Sequence, residues 1–215
     1  MNQYTSVDGA NLSYDDNGNL TSENTSLGKS YSYDCENQLI SVITPDTFIA
    51  YKYDAFGRRV EKTVVGGPTV TTKFIYDGFR VIAEYVNGSL DRKYIYGPGI
   101  DEPLAMIAVD GETETWYYYH FNSLGSVVAL SDENGDLVES YSYNVFGEPT
   151  IYDGNGDEIS ASAVNNPYMF TSRRYDEDTS LYYYRLRDYK SRPWPLFAER
   201  SDWLRRRDES VCVLQ

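Results

Sequence analysis

The dipeptide Tyr-Asp recurs along this chain at near-constant spacing, and this repeat limits the folds that the chain can adopt. The pairs begin at Tyr14, Tyr33, Tyr53 and Tyr76, which are 19, 20 and 23 residues apart. Degenerate copies follow at Tyr96-Gly97 and Tyr143-Asn144. A unit of about 20 residues is too small to bury an apolar face alone. Neighbouring units are therefore expected to cover one another.

Each unit has the pattern of one β-hairpin. Apolar and polar residues alternate on both sides of the pair, as in SYSYD before Cys35 and LISVI after it, and alternation with period two is typical of strands. Asn17-Gly18, Asn87-Gly88 and Asn134-Gly135 supply the positive φ angles that tight turns need. We therefore predict an all-β fold in which antiparallel hairpins form a twisted, spiralling open sheet.

Composition supports the β prediction and excludes several classes of protein. The 22 tyrosines suit pleated, half-buried surfaces. A formal net charge of −14 argues against nucleic acid and anionic membranes as partners. The sequence contains no apolar run that predicts membrane insertion, and its first residues do not form a signal peptide. Two cysteines far apart, Cys35 and Cys212, do not indicate a disulfide scaffold.

The residues that invite a chemical interpretation are better explained by turns. The aspartate of each Tyr-Asp pair is expected to bond backbone amides two residues on rather than to act as a ligand or catalyst. His120 lies near Ser123, Ser126 and Asp132, but the sequence lacks the nucleophile motif of a triad. We therefore predict no catalytic, cofactor-binding or metal-binding residue and no cofactor. A weak calcium loop at Asp153, Asn155 and Asp157 stays an alternative, because its twelfth position is the apolar Val164.

These phrases resemble the Rhs and YD-repeat proteins, which include bacterial polymorphic toxins and insecticidal toxin shells. Residues 1–100 resemble degenerate YD repeats. Residues 101–189 resemble the Rhs repeat-associated core, through YYYHFNSLGSVVALSDENGDLVESYSYNVFGEP and NNPYMFTSRRYDEDTSLYYYRLRDY. Asn122 stands where that family usually has aspartate, and Ser172 and Ser180 stand where it usually has glycine. A serine that must adopt positive φ costs about 1 kcal/mol.

Residues 190–215 depart from the family pattern. The segment contains Trp194 and Trp203 but no tyrosine. The family would continue with a Gly-Arg-Phe-Leu and Asp-Pro segment, and the tryptophan codon read one base later encodes glycine. We therefore hypothesise that residues 190–215 are a frameshifted remnant, expected to form an irregular or short helical tail. A genuine amphipathic helix is the alternative, and the DNA sequence distinguishes the two.

The resemblance implies a structural role. In that family the repeats form a hollow shell around a toxic C-terminal polypeptide, and in many members an aspartate pair in the core releases this cargo by self-cleavage. We expect this chain to be a shell fragment, inactive alone and not an enzyme, with the remaining repeats and the encapsulated toxin of a secreted or cell-surface parent as partners. Two alternatives remain: a module that binds cell-surface glycans through exposed tyrosines, and the remnant of a self-cleaving aspartyl protease.

Overall fold

The computed structural model describes residues 4–7, 10–24 and 28–191. Nearly all regular structure in these residues is β-strand. The predicted tail lies outside the described residues from residue 192 onwards, together with Trp194, Trp203 and Cys212. Its first residue, Lys190, is the last residue of a strand.

The chain forms two sheets in sequence order, a large one of 16 strands and a small one of 3. The large sheet consists of β1 (Ser6–Val7), β2 (Ala10–Tyr14), β3 (Leu20–Asn24), β4 (Lys29–Tyr33), β5 (Leu39–Ile43), β6 (Phe48–Tyr53), β7 (Arg59–Val65), β8 (Val70–Asp77), β9 (Arg80–Val86), β10 (Ser89–Tyr96), β11 (Pro103–Asp110), β12 (Thr113–Phe121), β13 (Val127–Ser131), β14 (Leu137–Tyr143), β15 (Pro149–Asp153) and β16 (Glu158–Ile159). A 3-10 turn (Phe170–Ser172) precedes the small sheet of β17 (Arg174–Asp176), β18 (Leu181–Tyr183) and β19 (Asp188–Lys190).

Every strand of the large sheet pairs antiparallel with the next strand along the chain. The sheet is open, because its edge strands β1 and β16 do not pair with each other. The predicted all-β, open sheet of antiparallel hairpins is thereby confirmed. The pairing of β10 with β11 runs across residue 100, so the proposed division between repeats and core stays a prediction, and the architecture changes only after Ile159.

A register irregularity accompanies the repeat tyrosines. The pairing shifts by one residue immediately before Tyr14, Tyr33, Tyr53, Tyr76 and Tyr96. An extra residue of this kind bends a strand and increases its right-handed twist. The irregularity recurs in these five units, whereas Tyr143 pairs with Pro149 without a shift, so twist is added in most units of the sheet.

One face of the large sheet is buried, and the other is open. The buried face carries two apolar clusters, one centred on Leu39, Val42 and Ile49 and the other on Tyr94, Met106 and Leu130. The open face presents apolar side chains such as Ile43 and Ile95 to solvent. Residues 160–191, which we call the inner layer, contribute Tyr168, Met169, Leu181 and Tyr182 to the clusters of the buried face. Within the part of the chain described, no helix has the length and apolarity needed to cross a membrane.

Candidate functional site

The interface between the inner layer and the large sheet brings together most of the buried charge of the described residues. Tyr182 and Leu181 of β18 are fully buried there. Around them, acidic and basic side chains from distant parts of the chain form three clusters. This interface is the candidate functional site, and its chemistry decides what the chain can do.

The first cluster surrounds Arg59, at the start of β7. Its guanidinium lies between the rings of Tyr51 and Tyr183, with its central carbon 3.9 and 4.3 Å from the two ring centres. One guanidinium nitrogen donates to Asp188 at 2.7 Å, and another lies 3.8 Å from Asp176. Lys62 donates to Asp176 at 2.6 Å. Arg59 and Lys62 thus join the large sheet to β17 and β19.

The two carboxyl groups of this cluster are shifted in opposite directions. Burial alone would raise the pKa of Asp176, but the ion pairs with Lys62 and Arg59 bring it below its ordinary value. Burial raises the pKa of Asp188, and Arg59 offsets this only in part. Asp176 also accepts a hydrogen bond from the Tyr51 hydroxyl at 2.8 Å. Both carboxylates are therefore engaged by donors from the large sheet.

The second cluster surrounds Arg174 of β17. Its guanidinium lies 2.8 Å from Glu84 of β9 and packs over the ring of Phe74 at 4.8 Å. The hydroxyl of Tyr94 donates to the same Glu84 carboxylate. Burial would raise the pKa of Glu84, but Arg174 and Arg92 lower it below its ordinary value. Glu84 is therefore ionised and paired within the interior.

The third cluster joins the two ends of the described chain. Lys190 of β19 lies 2.6 Å from both carboxylate oxygens of Glu23 in β3, and all these groups are buried. The hydroxyl of Tyr31 donates to the same carboxylate. Residues 167 positions apart are thereby fixed together. The predicted tail boundary at residue 190 therefore falls inside a paired strand.

A buried carboxylate also positions the loop that begins the inner layer. Glu139 of β14 is 1 % exposed. Its oxygens accept hydrogen bonds from the backbone amide of Ala163 at 2.6 Å and from the Ser162 hydroxyl at 2.8 Å. The hydroxyl of Tyr141 donates to it as well. Glu139 thus replaces the water that these loop groups lose on burial.

The repeat aspartates are turn residues, as predicted. Asp34 Oδ1 accepts hydrogen bonds from the amides of Glu36 and Gln38, both at 2.9 Å. The same pattern of two amide bonds occurs at Asp15, Asp54, Asp132 and Asp153. Asn122 and Asn144 form it with their amide oxygens. Asparagine therefore replaces aspartate in this role without loss of either bond.

The fourth Tyr-Asp pair departs from this prediction. Asp77 is still part of β8, where it pairs with Arg80 across a two-residue turn. Gly78 adopts φ of 57° in that turn. Among the described residues no backbone amide donates to the Asp77 carboxylate, because this aspartate is paired in the strand and does not start the turn. The expected role of Asp77 was therefore wrong.

The repeat tyrosines have a second role that the sequence analysis missed. The hydroxyls of Tyr53, Tyr76, Tyr96 and Tyr143 donate to the backbone carbonyls of Leu39, Arg59, Val81 and Val127, respectively, at 2.6 to 2.9 Å. Each acceptor lies in the preceding hairpin and is buried. The signal was the spacing itself, because an equal repeat places each tyrosine opposite the same position of its neighbour.

The other residues considered for chemistry occupy structural positions. His120 Nε2 lies 2.9 Å from the Ser131 hydroxyl rather than beside Ser123, Ser126 or Asp132. The Ser126 hydroxyl accepts the amide of Thr171 at 2.9 Å. Asp153 accepts the amides of Asn155 and Asp157, the same arrangement as in the repeat turns. The role of Asp153 as a turn acceptor accounts for its place in the sequence, and the calcium loop stays an untested alternative.

Comparison with known proteins agrees with this architecture. The family model of the Teneurin YD-shell matches residues 1–192. The tRNA nuclease WapA of Bacillus subtilis (strain 168) is 35% identical over 199 residues, covering 89% of this chain and 8% of that protein. The double-stranded DNA deaminase toxin A of Burkholderia cenocepacia (strain H111) is 24% identical over 203 residues, covering 82% of this chain and 14% of that protein.

Solved structures show the same fold. The TcdB2-TccC3 crystal structure aligns with a TM-score of 0.56 at 13% identity, covering 85% of this chain and 12% of that chain. The TcdB2-TccC3-Cdc42 structure aligns with a TM-score of 0.57 at 14% identity. The chain thus spans a small fraction of the proteins that it matches. With a match over residues 1–192 and a sheet of sequential hairpins, the chain belongs to the Teneurin YD-shell family.

Proposed function

We propose that this chain is one stretch of the wall of a YD-repeat shell and carries out no chemistry of its own. The observation that carries the proposal is the strand order, in which 16 strands follow one another without a crossover. A further hairpin at either edge requires no rearrangement of the strands already present. The inner layer supports a wall role, because its contacts hold the sheet in one curvature.

The parent protein, on this proposal, encloses a toxic C-terminal polypeptide and is secreted or displayed at the cell surface. The printed names of the relatives, a tRNA nuclease and a DNA deaminase toxin, support a toxin-type parent. This chain covers only 8% and 14% of those proteins. The nuclease and deaminase activities therefore need not reside in the stretch that matches. The partners are the remaining repeats and the enclosed polypeptide.

Limited proteolysis of the whole parent protein tests the wall role. In the wild type we expect the C-terminal polypeptide to resist protease. Arg59→Met removes the cation that joins the sheet to β17 and β19, and we expect it to make that polypeptide cleavable. Lys93→Gln removes an exposed cation paired with Glu114 and serves as the matched control. Equal cleavage of the wild type and both variants would contradict the proposal.

The absence of enzymatic activity is tested on the purified 215-residue chain. Asp176 and Asp188 are held by Arg59, Lys62 and Tyr51, which supports a structural role over a self-cleaving aspartyl protease. Over several days we expect an unchanged intact mass. We also expect no cleavage of added tRNA and no deamination of added double-stranded DNA. A mass loss that Asp176→Asn abolishes would support the protease remnant instead.

A glycan-binding module is the second candidate, and one observation favours it. Trp116 and Tyr118 stack on the open face, with ring centres 6.2 Å apart and planes inclined by 28°. Many of the other tyrosines are buried in the interior, including Tyr31, Tyr51 and Tyr94. Few tyrosines are therefore exposed for glycan binding, which was the reason for considering this alternative. A glycan array separates the two functions. Binding that Trp116→Ala removes would favour the module.

A further inference from the structure

Four arginines surround one small cleft near the turns that follow β8 and β10. They are Arg80 of β9, Arg173 and Arg174 at the start of β17, and Arg185 between β18 and β19. Among the described residues, Asp101 is the acidic side chain that lines this cleft with them. Such a concentration of positive charge is unexpected in a chain with a formal net charge of −14.

The charges of this cleft do not balance. Arg174 is paired with Glu84 at 2.8 Å. Asp101 is shared by Arg173, at 2.9 Å, and Arg185. Arg80 donates to the carbonyl of Gly99 at 2.6 Å, which is a neutral acceptor. Three guanidinium groups therefore face one carboxylate, leaving two positive charges uncompensated within the cleft. The Glu102 carboxylate does not line the cleft and accepts the Gly99 amide at 2.8 Å; its negative charge offsets part of this excess from outside.

One donor in this cleft is unused. Arg173 Nε is buried and has no hydrogen-bond partner among the described residues. A buried donor without an acceptor costs about 1 to 3 kcal/mol, more when the group is charged. An anion in the cleft would accept this hydrogen bond and balance part of the charge.

The arginines around the cleft are held in place before any ligand arrives. The guanidinium carbons of Arg80, Arg173 and Arg185 lie 5.5, 5.0 and 5.7 Å from the ring centres of Tyr96, Tyr184 and Phe79, respectively. Guanidinium groups fixed over aromatic rings lose little entropy when they bind a planar acceptor.

Backbone strain is concentrated at the same place. Asp101, Ser172 and Arg185 line the cleft and adopt φ of 57°, 53° and 64°. Side-chain-bearing residues reach this region at a cost and keep it where surrounding contacts enforce it, commonly at ligand clamps. Here two of the three residues, Asp101 and Arg185, form an ion pair that borders the cleft.

We propose that this cleft binds a single carboxylate group, with Arg173 Nε and the Arg80 guanidinium as its donors. The cleft has a volume of about 40 Å³, and roughly 10 to 15 Å³ on the same measure is enough to hold one water. A carboxylate group fits that space and matches the planar fork of a guanidinium. A free small carboxylate and an acidic side chain of a peptide share this chemistry. This binding site is independent of the wall role proposed above.

NMR of the full 215-residue chain tests the proposal with acetate as the probe. The Nε–H signals of the arginines are recorded during titration with sodium acetate, and with sodium chloride at matched ionic strength. The signal lost in Arg173→Lys identifies Arg173. We expect acetate to shift this signal in a saturable way with millimolar affinity, and chloride to shift it little. Arg80→Gln should weaken acetate binding by about tenfold or more, whereas Lys93→Gln, remote and exposed, should not.

The titration has a clear contrary result. Equal, non-saturating shifts with acetate and chloride would show a response to ionic strength and overturn the proposal. If Arg80→Gln does not fold, Arg80→Lys replaces it, because lysine keeps the positive charge but lacks the planar guanidinium. Acetate affinity unchanged in Arg80→Lys would exclude the Arg80 guanidinium as a donor. A glutamate-containing peptide with both ends blocked is compared with its glutamine analogue to distinguish the sources. Competition by the glutamate peptide alone identifies an acidic side chain, and competition by neither peptide identifies a free small carboxylate.

Discussion

At the scale of single residues, the repeat depends on an oxygen acceptor placed at the start of each turn. Asp34 and Asn122 accept the same pair of amides at nearly the same distances. The requirement is therefore for a short side chain with an oxygen, and the negative charge is dispensable. This explains why asparagine at position 122 leaves the turn intact.

Replacing a turn acceptor should cost stability only where the acceptor is used. Asp34→Ala removes the carboxylate oxygen that accepts two amide hydrogen bonds and is expected to lower the free energy of unfolding by about 1 kcal/mol. Asp77→Ala is the matched control, because Asp77 is an exposed strand residue, and should change it by less than about 0.5 kcal/mol. Urea denaturation measures both. Equal losses would show that the turn bonds do not account for the repeat.

The two serines at expected glycine positions provide a second test at this scale. Ser172 and Ser180 adopt φ of 53° and 60°, as the resemblance predicted for positions usually filled by glycine. Ser180→Gly should stabilise the fold by up to about 1 kcal/mol, reduced by the loss of the hydrogen bond between its half-buried hydroxyl and Tyr175. Ser172→Gly should gain less, since its buried hydroxyl donates to the Gly125 carbonyl at 2.7 Å. Thermal unfolding gives both differences, and a larger gain for Ser172→Gly would contradict this account.

At the scale of the element, four hairpins are tied to the preceding one by a tyrosine hydroxyl as well as by the strand ladder. Strand alternation places the ring of Tyr53 on the same face as the buried Tyr51, where its hydroxyl reaches the preceding hairpin. This is a physical reason for tyrosine rather than phenylalanine at the position.

Removing these hydroxyls should destabilise the sheet without emptying space in its core. Tyr53→Phe and Tyr143→Phe each lose a hydrogen bond to a backbone carbonyl, and each is expected to lower the free energy of unfolding by about 1 kcal/mol. Tyr118→Phe on the open face, where Tyr118 is 38% exposed, should have little effect. Chemical denaturation compares the three. A similar loss for Tyr118→Phe would refute the inter-hairpin role.

At the scale of the whole molecule, buried ion pairs decide how the inner layer lies on the sheet. Arg59, Arg174 and Lys190 each meet a carboxylate across the interface. Such pairs add little net stability compared with apolar packing, but a partner left alone is costly. They therefore specify one alignment of the inner layer and penalise others.

The Glu23–Lys190 pair is suited to a double-mutant test. Lys190→Met leaves Glu23 buried without its cation and is expected to cost about 3 kcal/mol. Glu23→Leu combined with Lys190→Met removes both charges and should recover most of that loss. The free energies of unfolding of the two variants decide the matter. A double variant as unstable as the single one would mean that packing, not the unpaired charge, dominates.

Stability should fall in acid because Glu84 is paired. Its pKa is below the ordinary value in the folded chain, so its contribution is complete above an unfolded pKa of about 4.3 and is lost as pH falls through the lower folded pKa. Glu84→Gln should therefore be less stable than the wild type at pH 7, with the difference shrinking below about pH 4. The pKa of Asp188 is raised in the folded chain, so the contribution of this group to stability increases as the pH falls. A difference independent of pH would exclude this linkage.

The sequence by itself determined the repeat, the strand class and the turn residues, because alternation, turn oxygens and positive φ are local properties. Only the tertiary structure decided that residues 160–191 fold back over the buried face. The ion pairs that hold them join residues 129 and 167 positions apart, and no sequence spacing encodes such partners. One signal was available: Glu139 alternates in phase with Tyr141 and Tyr143, on the buried side. A carboxylate there needs donors from outside its own hairpin, and only the folded chain could show where they come from.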